Sequence, residues 1–136
     1  MPDFRRVTDR FSVAPQIQPA DLAAAAAEGY TLIINNRPDE EDPGQPSAAA
    51  MAVQAESLGL IYVHIPVQGG PSVEQAAAVT RAIEEHPGRA LAYCRSGTRS
   101  INTWALGRRE AHLTEAAELL RLGSAAGYDL SGVLRA

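Results

Sequence analysis

Residues 90–100 read ALAYCRSGTRS, and the fold turns on how that stretch divides. Residues 90–93 (ALAY) form a short apolar run suited to a buried strand, and residues 100–110 carry a helical pattern. The polar CRSGTR between them is then a tight turn from strand to helix. Working outward, Ser72 and Gln75 form an S-x-x-Q capping box that opens a helix ended by Pro87 and Gly88. Before it, residues 61–67 (IYVHIPV) read as a strand. Residues 47–58 read as an Ala-rich helix closed by Gly59, and residues 30–35 (YTLIIN) as a central strand. Pro19 starts another helix, which Gly29 ends, behind a strand at residues 11–17 (FSVAPQI). Downstream, residues 114–122 and 129–135 read as two further helices.

Strands that alternate with helices build β-α-β units. The expected fold is therefore α/β and three-layered: a mainly parallel four-stranded sheet with helices on both faces. In such a sheet a ligand site lies beyond the carboxyl ends of the strands. That rule selects residues 36–45, 68–71 and 94–99, which are expected to meet.

The chemistry concentrates at the turn. A thiolate is the nucleophilic form of cysteine, and a helix N-terminus with neighbouring arginines favours it. Cys94 has both. Gly97 lets the backbone curl so that successive N–H groups form an anion-binding nest, and Arg99 can fork onto two oxygens of a tetrahedral anion. The competing reading makes Cys94 a small buried hydrophobe at a strand end.

Farther out, Asp39 of the acidic segment 39–42 is the carboxyl nearest a strand end, and it is either a general acid or a turn residue. Arg37 either supplements the anion site or pairs with that acidic segment. His64 reads as packed and hydrogen-bonded rather than catalytic, Asn35 and Asn36 either end a strand or hydrogen-bond the catalytic loop from behind, and Trp104 is either core or a wall of the pocket. No His/Cys cluster has ligand spacing, so neither metal nor cofactor is expected.

Four stretches resemble the bacterial β-lactamase-hydrolase-like phosphatase-like family, whose members are also labelled sulfur transferases. They are VAPQIQPADL (13–22), IINNRPDEEDPGQPS (33–47), YVHIPV (62–67), and AYCRSGTRS (92–100) followed by Trp104. The resemblance implies a protein tyrosine phosphatase-like fold. It also implies Cys94 as nucleophile, Arg99 as the anion-binding arginine, and Ser96, Gly97 and Thr98 as loop amides. Arg95, Ser100 and Arg37 complete the expected anion-binding set.

Two departures bear on the reaction. Tyr93 stands where tyrosine phosphatases have His, and four rather than five residues separate Cys94 from Arg99, a spacing more like that of a rhodanese loop. Gln68, Gly69 and Gly70 occupy the place where those phosphatases usually carry an Asp acid. Four strands point to a phosphatase, and loop length points to sulfur transfer. The leading expectation is a hydrolase in which Cys94 attacks a phosphoryl group. Its alternatives are a sulfurtransferase with a persulfide on Cys94, using Arg95 and Arg99 to bind the donor, and a non-catalytic anion-binding domain.

Composition narrows the field further. A chain of 136 residues, 46% hydrophobic and 21% charged, suits one globular domain spanning 1–136. A net charge of −4 argues against nucleic-acid or membrane partners, so any anion site must be local; the loop and the resemblance imply a small oxyanion, phosphoester or sulfur donor as substrate. All twelve basic residues are Arg, which removes lysine Schiff-base and Walker-lysine chemistry. The lone Cys94 has no disulfide partner, and no apolar run approaches the roughly 20 residues that span a bilayer. A cytoplasmic location is therefore expected.

Overall fold

The structure, a computed structural model, describes residues 2–135. Its strands are β1 (Arg5–Thr8), β2 (Phe11–Ala14), β3 (Tyr30–Asn35), β4 (Ile61–His64) and β5 (Arg89–Tyr93). Its helices are α1 (Pro19–Ala27), α2 (Ala48–Ser57), α3 (Val73–Glu85), α4 (Thr98–Glu110) and α5 (Ala116–Ala125). The sheet order is β1-β2-β5-β3-β4, with all neighbours parallel except the β1–β2 hairpin.

The α/β expectation holds, with one strand more than the four expected. The sequence RRVT of β1 buries only Val7, so it shows no apolar pattern, and antiparallel pairing with β2 draws it onto the sheet edge. At the other end, the helix expected over residues 129–135 is a single turn closed by Leu134 N–H to the Leu130 carbonyl. Leu130 and Leu134 are both buried there, and their four-residue spacing reflects core packing of one turn.

Period-two alternation decides which helix covers which face. Ile33, Leu91 and Tyr93 point to the side where α1 and α2 bring Leu22, Ala25, Met51 and Ala55. Leu32, Ile34, Ala90 and Ala92 point to the other, against Val79, Ile101, Trp104 and Leu119 of α3, α4 and α5. Trp104 stacks on Phe11 with ring centroids 4.8 Å apart, as a core residue. Among the described residues no helix is long and apolar enough to cross a membrane.

Candidate active site

Residues 94–97 connect β5 to α4, and both neighbouring strands pin that connection. Cys94 N–H donates to the Ala14 carbonyl at 3.4 Å and Gln16 N–H to the Arg95 carbonyl at 3.2 Å. From the other side, Asn36 N–H donates to the Tyr93 carbonyl at 2.8 Å. Cys94 is fully buried. Gly97 is the N-cap of α4 and adopts φ +93°, a left-handed conformation that glycine takes without strain. Its N–H donates to Cys94 Sγ at 3.1 Å. The sulfur thus sits at the amino end of a thirteen-residue helix, where the dipole favours negative charge.

The other loop residues divide. Thr98 N–H donates to Ser96 Oγ at 3.4 Å, and the Ser96 hydroxyl donates to Thr98 Oγ1 at 3.1 Å. Ser100 Oγ is buried in the first turn of α4 with no hydrogen-bond partner among the described residues. Arg95 is 70% exposed, 4.0 Å from Asp42 Oδ2.

Arg99 is already engaged. Its Nη1 donates to Glu41 Oε2 at 2.7 Å and its Nη2 to Glu41 Oε1 at 2.8 Å, the two-oxygen fork that a bound oxyanion also offers. Nη1 additionally donates to the Val67 carbonyl at 3.0 Å. Glu41 reaches this position because Glu40 takes φ +66° and turns the acidic segment back over the strand ends. The Arg99 hydrogen bonds hold the Glu41 carboxyl down at about 2; burial opposes them, and Arg37 assists. Glu41 is therefore an anion at neutral pH.

Arg37 is buried, at 3% exposure, and pairs with the acidic segment rather than facing the loop directly. It donates to Glu41 Oε1 at 2.8 Å, to Asp42 Oδ2 at 2.6 Å and to Gln16 Oε1 at 2.9 Å. Burial works against its charge, and the Glu41 and Asp42 carboxylates more than offset that. Asp39 serves α2, its Oδ1 accepting from Ala48 N–H at 2.9 Å, and no hydrogen bond joins it to residues 94–99.

Beneath the site Tyr93 bonds Tyr62 through their hydroxyls at 2.6 Å. Asn35 donates to the Tyr62 hydroxyl at 2.9 Å and accepts from Arg37 N–H at 2.8 Å. Burial pushes the Tyr93 phenol far above its ordinary range, so it stays neutral within this ladder. His64 Nε2–H donates to the Arg37 carbonyl at 2.8 Å and so supports the same turn. Among the described residues no group of three or more His, Cys, Asp or Glu is placed to hold a metal.

The structure thus brings Cys94, Gly97, Thr98 and Arg99 into one turn and links Arg37 to it through Glu41. Sequence reasoning missed Glu41 as an individual residue. Its only local signal is a position four residues after Arg37, and the neighbouring Glu40 looks equally suitable until the chain reversal is seen.

The Beta-lactamase hydrolase-like protein of Agrobacterium fabrum is 33% identical over 132 residues, which cover 96% of this chain and 30% of that protein. The chain therefore spans about a third of the length of the curated relatives it matches. A candidate phosphatase from Neisseria meningitidis is 31% identical with a TM-score of 0.81, covering 94% of this chain and 91% of that one. Tk-PTP in its active form, 22% identical with a TM-score of 0.77 over 98% of this chain and 95% of that one, shows the fold alone. The edge strand β1 is thus compatible with a tyrosine phosphatase-like architecture. Residues 3–111 match the family described as Beta-lactamase hydrolase-like protein, phosphatase-like domain, and the chain belongs to that family.

Proposed function

We propose that the chain is a cysteine-dependent phosphatase acting on phosphate monoesters with good leaving groups. The observation that supports this reading most is Cys94 Sγ at the amino end of α4, bonded by Gly97 N–H, with Arg99 in the first turn of the same helix. The oxyanion displaces Glu41 from the Arg99 fork, and the Cys94 thiolate attacks phosphorus. A phosphocysteine forms, the P–O ester bond breaks, and the leaving oxygen departs with the electron pair. Water then attacks the phosphocysteine, releasing phosphate and restoring the thiolate.

The carboxyl groups placed nearest the turn are not poised to protonate the leaving oxygen. Asp39 is bonded to α2, Asp42 is bonded to Arg37, and Glu41, once the oxyanion displaces it from Arg99, stays bonded to Arg37 as a carboxylate. A positioned proton donor contributes about 10² to 10⁴ in rate, so alkyl phosphates are expected to lag aryl phosphates by at least that factor. Turnover of a series of monoesters of rising leaving-group basicity tests this. The expected result is a steep decline across the series and no turnover in Cys94→Ser. Equal rates for alkyl and aryl esters, or turnover retained in Cys94→Ser, would contradict the reading.

The missing acid also favours a second reading, sulfur transfer. There Cys94 attacks the outer sulfur of thiosulfate, the S–S bond breaks, and sulfite leaves with the electron pair. The resulting persulfide passes its sulfur to an acceptor thiolate. No leaving oxygen needs a proton.

A further inference from the structure

The segment after α5 lies beyond the residues matched to the family, yet it reaches the Cys94 turn. α5 ends with Ala126 N–H bonded to the Leu122 carbonyl at 3.2 Å, Gly127 N–H to Ser124 at 3.0 Å and Tyr128 N–H to Gly123 at 2.8 Å. Gly127, at φ +93°, reverses the chain. Leu130 is buried so close to Gly123 that a Cβ there would lie 2.6 Å from its side chain. These contacts fix Tyr128, whose ring also lies 5.3 Å from the Arg5 guanidinium carbon.

The Tyr128 hydroxyl donates to the Ser96 carbonyl at 3.1 Å, and its oxygen fills the space that a Cβ on Gly97 would take. The Ser96 carbonyl and the Gly97 N–H belong to one peptide unit. In a planar trans peptide they point in opposite directions. Holding the carbonyl toward Tyr128 therefore aims the N–H the other way, and that N–H is the one found on Cys94 Sγ at 3.1 Å. Flipping the unit would present a carbonyl oxygen to the sulfur and to any bound anion.

We propose that Tyr128 is a positioning residue that fixes the Ser96–Gly97 peptide so that its N–H, not its carbonyl, faces Cys94 and the oxyanion. The assignment rests on the phosphatase reading only in supposing that this turn receives an oxyanion.

Tyr128→Phe keeps the ring and its stacking under Arg5 and removes the hydroxyl alone. Two measurements on the full chain test it: the affinity for inorganic phosphate by calorimetry, and the pH dependence of the Gly97 amide proton shift, which reports the N–H bond to sulfur. The wild type is expected to bind phosphate and to show a Gly97 shift that follows Cys94 ionisation. Tyr128→Phe is expected to bind phosphate about tenfold more weakly, the worth of one charge-assisted hydrogen bond, and to lose that shift while its melting temperature changes little.

Arg5→Gln is the control for simple loosening of the segment, since it removes the stacking and leaves the hydroxyl; it is expected to keep wild-type affinity. Equal weakening in Arg5→Gln, or an unchanged Gly97 shift and affinity in Tyr128→Phe, would overturn the assignment. A wild type that binds no phosphate would count against the phosphatase reading, and the Gly97 shift would still decide the role of Tyr128.

Discussion

Glu41 occupies both terminal nitrogens of the Arg99 fork, and it bridges that arginine to buried Arg37. Its carboxyl titrates at about 2 against an ordinary 4.5, chiefly through the Arg99 hydrogen bonds. A carboxyl held below its unfolded value stabilises the fold wherever it is ionised in both states. The contribution is fully present above the unfolded value and is lost as pH falls through the folded one. Glu41→Gln is accordingly expected to be less stable than wild type by a constant margin from neutral pH down to about pH 5. Urea unfolding at a series of pH values should show that margin shrinking between 4.5 and about 2. A margin unchanged down to pH 2 would mean that Glu41 acts through packing rather than charge. Cys94, Gly97 and Arg99 were legible in the sequence because their arrangement is local, six consecutive positions at one turn. Glu41 and Tyr128 were not, because each arrives by long-range folding from a segment whose composition looks like ordinary surface.

At the scale of the elements, α2 has two side chains on its first turn. Ser47 Oγ accepts from Ala50 N–H at 3.1 Å, and Asp39 Oδ1 accepts from Ala48 N–H. Losing a capping acceptor of this kind costs about 1 kcal/mol. Asp39→Ala is thus expected to lower stability by about that much and to leave the ratio of aryl to alkyl phosphate turnover unchanged. A loss in rate that grows with leaving-group basicity would instead make Asp39 the proton donor. The capping box of α3 was readable from Ser72 and Gln75 alone, and both of its bonds are present at 3.1 and 2.9 Å. The apolar runs of β3 and β5 were equally readable, since strands covered on both faces need no alternation with polar residues. β1 escaped because its fit to the sheet is set by the hairpin with β2, and three of its four residues face solvent or the rim. Residues 129–135 misled because one buried turn and a full helix share the same four-residue spacing.

Across the whole molecule, β5 lies between β2 and β3, and the connections change faces around it. α1 and α2 cover one side, and α3, which leads into β5, covers the other. The carboxyl ends of β3 and β5 therefore open where those connections part, the place at which such sheets bind ligands. Two separate cores hold the sheet rigid beneath that opening, so the turn that carries Cys94 is set by strands buried on both faces. The two proposed reactions would leave different covalent species on Cys94. The most direct test is intact-mass spectrometry of the wild type and Cys94→Ser after brief exposure to an aryl phosphate and, separately, to thiosulfate. Phosphoryl transfer through Cys94 predicts a gain of one phosphoryl group on the wild type and none on Cys94→Ser. A wild type that gains no phosphoryl group but takes one sulfur atom from thiosulfate, or a phosphoryl adduct that persists in Cys94→Ser, would contradict it.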